Sequence, residues 1–238
     1  MKPIEQAIEL ADQQYLSMGL SAQRRYPNEA LIRFLASRYF SLTMTERKSI
    51  RLLEVGCGSG ANLWMMAKEG FVTHGMDSSA KGLDLARQHL GEKWGVTAEL
   101  RQGSFTELPY ENDYFDAVVD VVSLLTLNLK DSRLALSEIA RVLKPGGAFF
   151  SYRLSDASVM YQSSGGNWID AVTVDNIADS SMPLSDNGPM SFWSPSLARV
   201  MYSEIGLDLV SVERQGRTYE NGGKYVEYLV ITADKSPR

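Results

Sequence analysis

Four groups of residues in this chain have the types and spacing to do chemistry. The first is Glu54-Val55-Gly56-Cys57-Gly58-Ser59-Gly60, directly after the apolar run Leu52-Leu53. Glycines there permit positive φ in a tight turn and let a ligand approach the backbone with no Cβ in the way. A helix that follows offers unpaired N–H groups and a positive dipole end. The second is Asp77, 21 residues after Gly56 at the end of Phe71–Met76, where a carboxylate can accept hydrogen bonds from both hydroxyls of an adenosine ribose. The third is Asp120, which interrupts the apolar run Ala117–Val122. Burying a charge there is costly without a partner or a task, so it reads either as a base or as a polar group bonded to a neighbouring loop. The fourth is Tyr152-Arg153 at the end of another apolar run: Tyr152 could orient a substrate hydroxyl and Arg153 could pair with an acidic group.

These residues need a scaffold that brings strand ends together. Segments 51–55, 71–76, 96–102, 115–122 and 148–152 read as strands, separated by helical patterns at about 60–69, after Ser78 or Ser79 as N-cap, and at 132–142. Such alternation predicts a parallel sheet with helices on both faces. Strand 207–214, a turn at Asn221-Gly222-Gly223 and strand 224–232 add an antiparallel pair, for a mixed seven-stranded sheet. Residues 1–48 read as a helical cap, 50–153 as the nucleotide-binding core, 154–194 as a lid over the substrate and 195–238 as a helix plus the strand pair, all in one domain.

Composition narrows the classes. With 44% hydrophobic and 22% charged residues among 238, the chain is of ordinary globular type. Twenty-four Lys+Arg against 29 Asp+Glu give a net charge of −5, which argues against nucleic acid as partner. There is also no Asn/Asp-Pro-Pro-Tyr stretch for a flipped base. A single cysteine, Cys57, excludes a disulfide framework. No apolar run reaches the ~18 residues of a membrane span and no signal-peptide pattern opens the chain, so a cytoplasmic location is expected. His74 and His89 both read as structural. Asp170, Asp175, Asp179 and Asp186 match no ligand loop, so no metal is expected.

Gly56-x-Gly58-x-x-Ala61 formally satisfies the dinucleotide fingerprint, so the glycines alone do not separate NAD from S-adenosylmethionine. Glu54 favours a cofactor with a cationic tail over a diphosphate. With Gly103-Ser104-Phe105-Thr106-Glu107-Leu108-Pro109 and Glu138–Gly147, these motifs resemble the class I S-adenosylmethionine-dependent methyltransferases. The likeness is strongest to the small-molecule branch with a ubiquinone/menaquinone-biosynthesis-like core. It covers about 50–153, and more loosely 195–233. It implies a Rossmann-like doubly wound α/β fold, with Glu54, Gly56 and Gly58 at the methionine end and Asp77 on the ribose. Met76 and Ser78 complete the adenosine pocket, and Phe105 flanks the adenine. Ser104 stands where the family usually has Asp, and can accept from the adenine amino group as a neutral acceptor. Asp120 is placed beside the cofactor as well as in catalysis.

The expected activity is methyl transfer to a small molecule, with a sugar or natural-product hydroxyl preferred. Tyr15, Arg24, Arg25 and Tyr26 from the cap could contact the cofactor carboxylate (Arg25) or the substrate (Tyr15, Tyr26). Arg153, Tyr161, Trp168, Phe192 and Trp193 could line a substrate site, or pack the lid instead. Two other readings are an NAD-linked oxidoreductase or epimerase, disfavoured because no Tyr-x-x-x-Lys pair occurs, and a cofactor-binding module without turnover. A homodimer is compatible with the sequence.

Overall fold

The apolar segments assemble into one mixed sheet in the computed structural model, which describes residues 3–178 and 188–237. Its parallel strands are β1 (Arg51–Val55), β2 (Val72–Asp77), β3 (Glu99–Gln102), β4 (Phe115–Val121) and β5 (Leu143–Leu154). The order across the seven-stranded sheet is β3-β2-β1-β4-β5-β10-β9, with β9 (Leu207–Tyr219) and β10 (Lys224–Lys235) forming a long hairpin. β10 lies antiparallel to both β5 and β9. β1 and β4 at the centre are buried except at Arg51 and Asp116, as strands covered on both faces require.

Helices α2 (Glu29–Tyr39), α4 (Leu63–Lys68) and α5 (Ala80–Gln88) cover one face, where Leu31, Leu35, Met66 and Leu83 pack against Leu52, Val119 and Phe150. On the other face, α6 (Leu129–Val142) and α8 (Pro195–Ser203) pack Leu136, Ile139, Met201 and Tyr202 onto Leu53, Val118 and Phe149. Helix ends follow capping chemistry. Ser79 caps α5 by accepting from Gly82 N–H at 2.9 Å, and Ser194 caps α8 with Pro195 at its first position. α1 (Pro3–Met18) packs on α5, and a short α3 (Met44–Arg47), closed by a Thr43–Glu46 capping box, leads into β1.

Two boundaries differ from the sequence reading. The Pro145-Gly146-Gly147 break does end α6, yet Leu143 already pairs with Phe115, so β5 starts five residues before the apolar run it was read from. The ladder shifts register between Phe115 and Ala117. A Cβ on Gly147 would lie 2.8 Å from the Lys144 carbonyl oxygen, so glycine allows the bulge. β3 starts later than Val96 because α5 continues into a wide π-turn, His89–Trp94, before the left-handed Gly95.

The 154–194 segment is a small subdomain: α7 (Val159–Gln162) and a three-stranded sheet of β6 (Asn167–Trp168), β7 (Thr173–Asp175) and β8 (Met190–Ser191). Its Met160, Val174, Ile177, Met190 and Phe192 share a core with Leu125, Leu154 and Val226. It therefore rests on β10 and on the turn after β4. Asp179, Met182 and Asp186 lie outside the described residues.

Candidate active site

The sheet order reverses direction between β1 and β4, and there the carboxyl ends of the strands diverge to leave a crevice. The loop after β1 enters it with three glycines at positive φ, at positions 56, 58 and 60. Gly56 has no alternative. A Cβ there would sit 2.2 Å from Ser123 Cβ, on the turn after β4, which itself donates from Oγ to the Gly56 carbonyl at 2.9 Å. At Gly58 a Cβ would come within 2.8 Å of the Tyr15 hydroxyl, so α1 closes on the loop only because that position is bare.

Two carboxylates fix the loop from below. Asp77 accepts from Gly58 N–H at 2.8 Å and Ser79 N–H at 2.9 Å, joining the β1 loop to the N-terminus of α5. Burial pushes its pKa up, against those backbone bonds. Glu54 is buried, and its Oε1 accepts from Asn62 Nδ2 while Oε2 has no hydrogen-bond partner. Burial pushes its carboxyl up to about 8, opposed by the Asn62 bond and by the positive charge of Arg24.

Between these groups lies a cavity of about 380 Å³. Glu54, Gly56, Gly58, Asp77, Ser78 and Phe105 all line it, as does Tyr15, expected on the substrate. Arg24 is the cap arginine on its wall. Sequence reasoning missed the far wall: Val122, Ser123, Leu125 and Thr126, from the turn after β4. The available signal was their place at a strand's carboxyl end. Val122 holds φ at +58°, a strained conformation for a β-branched residue. A larger groove of about 710 Å³ runs between α2 and β9–β10. Its arginines are engaged by carboxylates: Arg33 by Glu29, Arg38 by Asp234 and Arg214 by Glu227.

Six sequence expectations need correction. Arg25 is not on the cavity wall: its side chain is exposed and its carbonyl accepts the Trp64 indole N–H, while Arg24 points in. Tyr26 is 61% exposed and stands edge-on to the Trp64–Trp94 stack. Ser104 turns to Thr106, with hydroxyls 2.9 Å apart, as the loop after β3 folds on itself. Asp120 is wholly buried and capped. Its Oδ1 accepts from Ser123 and Leu124 N–H, each at 3.0 Å, and its Oδ2 from Ser151 Oγ at 2.7 Å. The bonded-to-a-loop reading describes it, and it shapes the cavity through the turn it holds. Arg153 alternates to the face opposite Tyr152, where its guanidinium lies 3.3 Å from the centroid of the equally buried Trp193 ring and donates to Ser191 Oγ at 3.1 Å. Burial drops its pKa to about 10. Arg153 and Trp193 therefore anchor the subdomain and do not face the cavity.

Tyr161 and Trp168 meet edge-on at 5.2 Å in the subdomain, with Trp168 half exposed. Tyr152 sits beside the cavity: its carbonyl accepts from Val122 N–H at 2.9 Å, and its ring stacks on Tyr228 at 4.6 Å. Asp170 is committed to capping Leu129 and Val172 N–H groups. His74 is enclosed by Tyr110, Tyr114 and Phe115, and His89 bonds Ser59 and Trp94; neither lines the cavity.

The fold, with a bare glycine loop, a carboxylate at the end of β2 and a second near the end of β1, defines the class I methyltransferase architecture. Residues 53–151, about two fifths of the chain, match the family model described as a methyltransferase domain, and that stretch has the class I S-adenosylmethionine-dependent methyltransferase fold. The chain is 31% identical over 103 residues to a ubiquinone biosynthesis O-methyltransferase of Chelativorans sp., covering 43% of this chain and 40% of that one. It is 36% identical over 108 residues to a demethylmenaquinone methyltransferase of Listeria welshimeri, 44% of each. The chain thus spans about two fifths of the length of the curated relatives it matches. Among solved structures, a methyltransferase of Methanosarcina mazei superposes with TM-score 0.67 at 20% identity, over 79% of this chain and 93% of that one.

The residues present fit the cofactor of that class. An unpartnered, buried Glu54 oxygen suits a cationic aminoacyl tail, and the bare Gly58 leaves room that a Cβ would fill. A diphosphate would offer that carboxyl no cationic partner.

Proposed function

We propose that this protein methylates a hydroxyl oxygen of a small-molecule acceptor, a sugar or natural-product hydroxyl being the preferred class. The single observation that carries the reading is the buried, half-satisfied Glu54 beside a positive-φ glycine loop and Asp77. S-adenosylmethionine, when bound, supplies an electrophilic methyl group on a cationic sulfonium.

The chain's own residues supply position and exclusion of water. Glu54 holds the aminoacyl end, and Asp77, whose oxygens can accept further bonds, holds the ribose. Phe105 gives the ring an apolar bed, and Tyr15 on α1 closes the loop from above. Tyr152, kept neutral because burial raises its pKa, orients the acceptor hydroxyl at the end of β5. Most of the rate then comes from holding acceptor and donor in line, the hydroxyl proton passing to solvent, since no histidine lines the cavity among the described residues. The quinone O-methyltransferase relative supports oxygen as acceptor atom. No helix among the described residues is long and apolar enough to cross a membrane.

Thermal unfolding with each cofactor tests the reading. A ligand at a hundred times its dissociation constant adds about 2.7 kcal/mol of stability, or roughly 5–10 °C for a chain of this size. S-adenosylmethionine should give that rise and NAD none; the reverse pattern refutes the proposal. Transfer of labelled methyl from the cofactor to a hydroxylated metabolite in cell extract, read by product mass, tests the acceptor.

A further inference from the structure

Beside the cofactor cavity the sheet presents a second cluster that the cofactor does not use. One face of the β5–β10–β9 ladder carries, in neighbouring register positions, Tyr152 opposite Val230, Tyr228 opposite Gln215, Arg217 opposite Val226 and Tyr219 opposite Lys224. Side chains two apart on a strand share a face, so these residues form one surface at the carboxyl end of β5. The Tyr152 and Tyr228 rings stack at 4.6 Å with planes 17° apart, and the Arg217 guanidinium lies 5.5 Å from the Tyr219 ring centre. All three tyrosines are half-buried, and Arg217 is exposed with no ion pair among the described residues. The carboxylate on this face of β9, Glu213, is four residues away and makes no ion pair with Arg217.

Val122 joins the surface to the cofactor cavity. It lines the cavity, donates its N–H to the Tyr152 carbonyl at 2.9 Å, and packs against both the core that Tyr152 borders and the core that Tyr219 and Tyr228 border. Arg24 reaches the same place from the cap, on the cavity wall and close enough to Tyr152 to interact electrostatically. Three aromatic rings offer flat apolar contact with hydroxyl tips, and the Arg217 and Arg24 guanidinium groups stand beside them, Arg24 also within electrostatic reach of Glu54.

From this juxtaposition we infer that Tyr152, Tyr219, Tyr228, Arg217 and Arg24 form the acceptor subsite, and that it takes a flat ring bearing an anionic group. The inference rests on the methyltransferase reading and names its acceptor class. The ring lies against the tyrosines and the acid group meets Arg217, which leaves a ring hydroxyl directed past Val122 toward the cofactor cavity.

Calorimetry on the full chain tests this with two probes of one shape, 4-hydroxybenzoate and the neutral 4-hydroxybenzamide, titrated with S-adenosylhomocysteine present. The acid should bind at least tenfold more tightly than the amide. Arg217→Gln should erase that preference and leave S-adenosylhomocysteine affinity unchanged. Tyr228→Ala should weaken both probes alike, and Tyr228→Phe should restore them. Equal affinity for acid and amide, no binding of the acid to the loaded protein, or a preference that survives in Arg217→Gln overturns the subsite. Failure of S-adenosylhomocysteine itself to bind would instead overturn the cofactor reading, so the two failures are read in separate titrations.

Discussion

The two halves of the crevice are built differently. On the β1–β2 side the ligand surface is largely backbone: a glycine loop, N–H groups tied down by Asp77, and one buried carboxyl. On the β5–β10–β9 side it is side chain: rings and guanidinium groups drawn from the cap, a strand end and a distant hairpin. A backbone site tolerates few residue types, because φ and steric room decide. A side-chain site tolerates many, because any residue on the right face can contribute a group. The first half can thus stay fixed for one cofactor while the second varies with the acceptor.

Substitutions should separate the halves, starting with the largest effect. Gly56→Ala sets a methyl 2.2 Å from Ser123 Cβ at φ +70°. It should cost about 3 kcal/mol in urea unfolding and abolish cofactor binding; native-like values would show that the loop can give way. Asp120→Ala removes the oxygens that accept from two N–H groups and a hydroxyl. A loss of about 2 kcal/mol is expected, because a buried donor is left unsatisfied; unchanged unfolding would return Asp120 to a role in turnover alone. Asp77→Ala should weaken S-adenosylmethionine more than tenfold, about 1.4 kcal/mol by calorimetry, whereas unaltered affinity would take Asp77 out of the cofactor half.

The pH dependence is smaller. Glu54 ionises near 4.5 in the unfolded chain and at about 8 in the fold, so the native state holds a proton the unfolded state has lost. Its contribution to stability is full below pH 4.5 and falls away as pH rises to about 8. A cationic cofactor prefers the ionised carboxyl, so its affinity should run the other way and rise about fivefold between pH 7 and 8. Glu54→Gln should flatten that slope; a slope that persists would put the proton elsewhere. Smallest of all, Trp168→Ala, at a half-exposed position in the subdomain, should move unfolding by less than about 0.5 kcal/mol. A larger loss would make Trp168 part of the subdomain's core.

The sheet and the cofactor wall were legible because each rests on a local rule. Apolar runs between helical patterns give buried parallel strands, and Gly56, Gly58 and Asp77 are residue types demanded by backbone geometry at that spacing. Where the reading slipped, the deciding fact was orientation. Arg24 and Arg25 are equivalent in sequence, but only one faces the crevice. Tyr152 and Arg153 are adjacent, and strand alternation sends one to the cavity side and the other under Trp193.

By itself, then, the sequence determined the layered α/β architecture and the chemistry of the first crevice wall, since those follow from periodicity, from φ and from what a buried carboxyl needs. Only the tertiary structure decided that Asp120 holds a turn and that Val122 strains to close the far wall. It alone brings Tyr152, Tyr219 and Tyr228 together. Their meeting depends on hairpin register and on which face each side chain takes, and a shift of one residue would send every one of them to the other side.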